Sequence, residues 1–508
     1  MNWRPTLGLA VLTGMLVAVL LPALSEAHPT GVSAAPHYAL IDVGTFGGPH
    51  AELDLPGVPI TSQGAVIGTA DTTTHDADSS SNGLLGAADP FVSHAFSWRD
   101  GHLTDLGALP GNNSSAVFEI NRSGVGAGWS ETGAMDPLLP LPASHAALFD
   151  HGAVQDLGTL PGGTESFAVA INDNGEVAGI GNDGVPDQFL GPEFFNWDTQ
   201  VRSFVWQNGA MHDLGTLGGP DTVMAWLNAR GQVAGDSYTN DTPNASTGRP
   251  TMHPFLWDSG HMRDLGSLGG TASGTNWLND SGEVVGQSNL SGDDTYHPFL
   301  WDGTRLRDLG TLGGAYGSAG HVNDAGDVTG WATLAGDATA HTFLWKNGTM
   351  TDLTGAGNAL CTHPEWLNNH DEAVGGTCTA GVSEALLWTG GHQYDLNKLV
   401  GPTDVQLAEA LFINDSGEIT ARGDVPNGHQ HVFLLMPLGP NACGVPNLKG
   451  RPLTAAKRSI KAHNCAVGTI RRATSRTIKR GRVISQKPKP GSWRKDESKV
   501  SLVVSKGP

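Results

Sequence analysis

Histidine, aspartate and tryptophan recur together in this chain, in spans short enough to supply metal binding or acid–base chemistry. Within 297–314 (HPFLWDGTRLRDLGTLGG) stand one histidine, one tryptophan, two arginines and two aspartates. The same pattern returns at 253–270 as HPFLWDSGHMRDLGSLGG. Repetition decides how it is read. A catalytic group or metal centre is needed once, whereas His-x-Phe-x-Trp begins at His94, His253, His297 and His341, with degraded copies at His145, Arg202, Glu384 and His431. An aspartate ends the neighbouring apolar run in each unit, so the pair is read as a hydrogen-bonded staple rather than as a metal or general-base site.

Other motifs are weighed the same way. Asn-Asp-x-Gly resembles a fragment of a calcium loop but lacks the alternating acids and terminal glutamate of an EF-hand. No cofactor is expected, and the acidic stretch 71–89 (DTTTHDADSSSNGLLGAAD) is the one place where calcium would find carboxylates. There is no Gly-x-Ser-x-Gly elbow, His-Glu-x-x-His or Walker loop. No catalytic residue and no metal ligand is assigned. A carboxylate pair for glycoside cleavage is defined by separation in space, which the sequence does not give. A cluster suited to a sugar ring stands at Asp183, Asp187, Phe189, Glu193, Phe194, Phe195 and Trp197. Aromatic faces stack on C–H groups while acids accept from hydroxyls; the competing reading makes these aromatics a small satellite core.

The elements that must position these residues follow from three alternating signatures. The first, Asp-Leu-Gly-Thr-Leu-Gly-Gly and variants, is anchored at Asp42, Asp105, Asp156, Asp213, Asp264, Asp308, Asp352 and Asp395, at spacings of 43 to 63 residues. The second is Ile/Leu-Asn-Asp-x-Gly-x-Val-x-Gly, clearest at 171–179, 278–286 and 322–330; the third is His-x-Phe-x-Trp. Alternation within each run predicts strands, and Asn-Asp-x-Gly and Asp-Gly predict hairpin turns. Four strands per unit at this period predict an all-β fold, a β-propeller of about eight blades, with seven as the alternative. The first strand of each unit carries small residues (Ala168, Ala170, Ser318, Ala319, Gly320), as a crowded central axis would require. The run 38–43 supplies a lone strand before the first unit, and the last unit lacks its fourth, so the N-terminal strand should close the ring. Units one to four carry insertions at one connection (69–93, 129–144, 180–201 and 236–252), and loops on a rigid scaffold are where binding concentrates. Cys361 and Cys378 flank the Asn369–His370 turn symmetrically and are expected to bond.

The repeat resembles the HAF family of extracellular repeats, named for a motif seen here as His94-Ala95-Phe96. The likeness covers roughly 38–436 and implies export and a repeat fold, with no activity attached. From Cys443 onward, Val445-Pro446-Asn447-Leu448, the helix-like run 453–463 with Thr454 as its N-cap, Val467-Gly468, the run 481–491 and the strand 501–505 resemble a PASTA domain. That resemblance implies association with cell-wall peptidoglycan, and a Cys443–Cys465 bond would tie the start of the module to its helix. Charge divides at the same place: 443–508 holds 17 Lys and Arg against 2 acids, and the remainder 12 against 48. Residues 437–442 form the linker. Arg471, Arg472, Lys479, Arg480, Arg482, Lys487 and Lys489 are the basic groups expected to meet an anionic wall polymer.

An apolar run from 7 to 24 followed by Ser25-Glu26-Ala27 predicts a signal peptide over 1–27, and no later run is long enough to span a bilayer. The expectation is therefore a secreted, wall-associated monomer that does not bind nucleic acid. Its propeller would be a non-catalytic binding or scaffold surface, with a carbohydrate as the possible ligand. The alternative is a secreted polysaccharide hydrolase or lyase using loop carboxylates.

Overall fold

A computed structural model describes residues 35–53, 57–76, 90–111, 113–138, 142–187, 189, 199–245, 247–355, 358–379 and 381–508. The expected signal peptide lies outside them, as does most of the acidic stretch 71–89. In unit five, strands Gly269–Leu278, Val284–Leu290, Tyr296–Trp301 and Leu306–Asp308 pair in that order as an antiparallel meander. Every unit repeats this arrangement. Five sheets of four strands stand separately, and units four to six are joined into one twelve-stranded sheet by single parallel bridges at Met252–Ala272 and Tyr296–Tyr316. The architecture is an all-β propeller of eight four-stranded blades followed by a small α+β module.

The ring closes as a clasp. Strand His37–Asp42 pairs antiparallel with Gln430–Leu438 as the outer strand of blade eight, setting Asp42 opposite Phe433. Blades hold one another by apolar faces: Phe96, Phe204, Phe255, Phe299 and Phe343 are wholly buried. Val285, Leu300 and Leu309 of blade five pack on Ala319, Val322, Val328 and Phe343 of blade six. Burying each such phenylalanine contributes about 1.5–3 kcal/mol.

A polar ring reinforces the apolar one. In blades two to eight the turn asparagine accepts N–H groups of its own turn through Oδ1 and donates through Nδ2 to the carbonyl at the same position in the next blade. The bonds run Asn121 to Asn172, then to Asn228, Asn279, Asn323, Asn368 and Asn414, at 2.9–3.4 Å. Asn414 carries the run on to the Thr61 carbonyl of blade one at 3.3 Å, where a threonine stands in place of the asparagine. The aspartate that follows joins in, since Asp173 accepts from Arg122 N and Asp280 from Ala229 N. A motif resembling half a calcium loop is thus spent on blade-to-blade bonding.

The axis corrects one expectation. Ala168 and Ala319 are small and buried, but they lie between blades, and large rings fill the centre. Trp226, Trp277, His321, Trp366 and Phe412 each precede the turn asparagine by two positions, and their neighbouring rings approach to 4.0–5.0 Å. A register shift just before each of them, as at Thr275/Trp277 and Pro364/Trp366, turns the residue out of simple alternation and toward the axis.

In the C-terminal module, helix Leu453–Ala462 buries Ala456 and Ile460 against strands Ala466–Ala473, Lys499–Ser505 and Val483–Lys487. Thr454 is not its cap. Pro452 occupies that position without a side-chain bond, and Leu453 N donates instead to the Gly481 carbonyl, because the Pro452–Arg482 bridge has brought that carbonyl alongside. The disulfides Cys361–Cys378 and Cys443–Cys465 both form, with Cα atoms 5.0 and 4.7 Å apart. The module rests on the closing strand through Trp493, stacked on His37 with ring centres 3.5 Å apart. No helix among the described residues is long and apolar enough to cross a membrane.

Candidate functional site

The histidines of the repeat are staples. Nδ1 of His94, His145, His253, His297 and His341 lies 2.9–3.0 Å from Asp105, Asp156, Asp264, Asp308 and Asp352 respectively. The sixth pair joins His431 to Asp42 at 3.0 Å, so the clasp carries its own staple. Burial opposes the charge on Asp105, but bonds from His94 and Gly107 N outweigh it and hold the carboxyl below the usual range. In blade three Arg202 replaces the histidine and reaches Asp183 at 3.1 Å.

The insertions leave the ring as ribbons. In blades one to three the second and third strands run on past the sheet, ending in the pairs His75–Phe91, Met135–Pro142 and Pro186–Thr199. In blade four the strands stop at Tyr238 and Met252. Of the expected sugar contacts, Asp183 is taken by Arg202, and Asp187 Oδ2 accepts from Phe189 N at 3.1 Å. Phe189 meets Tyr238 of the next blade edge-on, centres 6.3 Å apart, which favours the satellite-core role for that ring. Glu193, Phe194, Phe195 and Trp197 lie outside the described residues. Among the described residues, Met135, Leu138 and Val185 are the large apolar side chains exposed on these ribbons.

Acids at the ribbon roots are buried and held toward their neutral forms. Burial pushes Glu165 up to about 9, helped by a hydrogen bond with Asp136 and by the charge of Glu131. Asp221 rises to about 7 through burial, against a bond from Val201 N and with Asp187 and Asp183 nearby.

One charged cluster was not expected from the sequence. On the inner strands of blades seven and eight, His363 Nε2 lies 2.8 Å from Glu409 Oε1 and 3.2 Å from Glu365 Oε1. Arg422 reaches the other oxygen of Glu409 at 2.5 Å. Burial alone would lower His363, but the two glutamates overcome it and raise it to about 9. A signal was available: aligned on the turn asparagine, the position of His363 and Glu409 holds Ala116, Phe167 and Val223 in blades two to four.

In the C-terminal module Arg471, Arg472, Lys479, Arg480, Arg482, Lys487 and Lys489 are all exposed. They occupy both edge strands of the sheet and the connection between them, with Lys489 just past the second strand. None forms an ion pair with a described carboxylate; Arg482 donates to the Gly450 carbonyl at 2.8 Å.

Residues 444–506 match the PASTA domain family. A probable serine/threonine-protein kinase of Clostridium acetobutylicum is 41% identical over 64 residues, which are 13% of this chain and 10% of that protein. The chain therefore spans about a tenth of the length of that relative. Among solved structures, the β-propeller domain of the Trilobed protease from Pyrococcus furiosus is 10% identical, with 68% of this chain and 95% of that one covered and a TM-score of 0.39. Porphyromonas gingivalis dipeptidyl peptidase 4 is also 10% identical, with 90% and 71% covered and a TM-score of 0.43.

Proposed function

We propose that this chain is an exported binding or scaffold protein. Its propeller presents the ribbons of blades one to three as a ligand surface, and its PASTA-like module holds it at the cell wall through peptidoglycan or an anionic wall polymer. The observation that carries the reading is the match of 444–506 to the PASTA family, together with exposed basic side chains that no described carboxylate neutralises. Two disulfides suit an oxidising compartment outside the cell. The repeat itself supports kinship with the HAF extracellular repeats.

Binding is favoured over hydrolysis because the two acids of the His363 cluster are engaged. Glu365 and Glu409 share His363, and Glu409 also meets Arg422, so neither offers the unpaired carboxylate that glycoside cleavage uses. The ribbon surface, with its apolar tips, is the candidate contact for a carbohydrate. The test of anchoring is co-sedimentation with purified cell walls. The chain should pellet with them, and the combined substitution of Arg471, Arg472, Lys479 and Arg480 by glutamate should leave it in the supernatant. Equal pelleting of both proteins would sink the proposal.

A further inference from the structure

Four departures from the repeat meet at one point on the inner strands of blades seven and eight. His363 and Glu409 stand where blades two to four carry Ala116, Phe167 and Val223, and Glu365 stands where they carry Phe118, Val169 and Ala225. On the second strand, eight residues past the turn asparagine, blade eight carries Arg422 where blade seven carries Gly376. A Cβ added to Gly376 would come within 3.2 Å of Glu409 Cγ, so the missing side chain makes room for the glutamate. Closing the ring requires none of these residues, since blades two to four close with apolar ones.

We propose that His363, Glu365 and Glu409 form a binding site for a divalent transition-metal ion, with zinc the best match to the donors. One imidazole nitrogen and two carboxylate oxygens lie within 4.8 Å of one another. The contacts from His363 Nε2 are 2.8 and 3.2 Å. Ligand atoms around a tetrahedral zinc, at about 2.0–2.1 Å from it, stand roughly 3.4 Å apart, so the two gaps from His363 Nε2 need to open by about 0.6 and 0.2 Å. Mixed nitrogen and oxygen donors suit zinc, whereas calcium asks for six to eight oxygens.

The two oxygens of Glu409 are already assigned separate tasks. Oε2 is held by Arg422 and Oε1 points to His363, so Oε1 can ligate while the guanidinium fixes the carboxylate from behind. The ion would take the place of the proton that His363 Nε2 shares with the glutamates, and that proton leaves to solvent. The added positive charge sits in a propeller rich in acids. His363 and Glu365 side chains are each 27% exposed, so the position left open by three protein ligands faces water. All three ligands stand on strands, which hold them in place before any ion arrives.

The test titrates the metal-stripped full chain with zinc by calorimetry and with cobalt(II) by visible absorption. The expected result is one equivalent bound at micromolar affinity or tighter, with the intense cobalt bands of a tetrahedral site. His363→Gln and Glu409→Gln should abolish that equivalent, and Arg422→Gln should weaken it by about tenfold. His392→Gln, at an exposed histidine outside the cluster, should bind as the parent does. Should His363→Gln fail to fold, Glu365→Gln at a half-exposed position carries the same expectation. Uptake no tighter than millimolar, or equal uptake in the ligand variants, would overturn the assignment.

Discussion

At the scale of residues, the repeat divides into side chains that hold the ring and side chains that break its pattern. The asparagine circuit belongs to the first group. Asn279 accepts from Ser281 N and Glu283 N and donates to the Asn323 carbonyl and to Glu283. Asn279→Ala removes these partners at a buried position and should cost about 2–3 kcal/mol, measured by chemical denaturation. Asn279→Asp keeps the acceptor but loses the amide donor and sets a second carboxylate against Glu283, so it should cost at least as much; a much smaller loss would count against the circuit. Buried acids set a second expectation. Burial moves Glu119, Glu165, Asp221 and Asp236 up to about 8, 9, 7 and 7. Unfolded carboxyls titrate near pH 4, so between about 4 and 9 the folded chain binds more protons than the unfolded one, and stability falls as pH rises. Asp42 and Asp105 are shifted the other way and withdraw their contribution only as pH drops below about 4. The melting temperature should therefore be higher at pH 5 than at pH 8, with a flatter slope in Glu165→Gln; a rising profile would contradict it.

Five of the staples were legible from sequence because a fixed hairpin sets the two partners eleven residues apart. The asparagine circuit was not, since each amide bonds a backbone carbonyl in the next unit that leaves no trace in its own motif. The His363 cluster was passed over for another reason. Looking for what is copied hides a histidine and two glutamates that appear once, at positions blades two to four fill with apolar residues.

At the scale of elements, the closing strand is the clearest case of a long-range pairing foreseen from local pattern. The lone strand at the start and the vacancy at the end specify each other. Removing 36–43 would expose the whole edge of Gln430–Leu438, together with its unpaired N–H and C=O groups, and would strip Tyr38 from the core of blade eight. That truncated chain should melt well below the parent and associate on size-exclusion chromatography; an unchanged monomeric profile would mean the clasp is dispensable. The helix cap shows the opposite limit. Thr454 has the right residue type, yet a carbonyl from Gly481 does the capping, and only the folded module brings it there. The aromatic axis was also missed, because a bulge, and not simple alternation, aims those side chains inward.

At the scale of the whole molecule, an acidic eight-bladed ring carries a basic module whose Trp493 rests on the very strand that closes the ring. The number of blades followed from the repeat period, and the division between ring and module from the reversal of charge. What the ring grips could not follow from either, because most of the ribbon aromatics lie in insertions with no copy elsewhere to compare. The central claim is that the copied parts build the scaffold while the basic module attaches it. Retention on purified cell walls, followed as salt is raised, tests this most directly. Exposed charges act through water and are screened, so the full chain should be held at low salt and released at high salt, and a chain ending at Leu438 should be held at neither. Retention that ignores salt, or that survives removal of the module, would contradict the account.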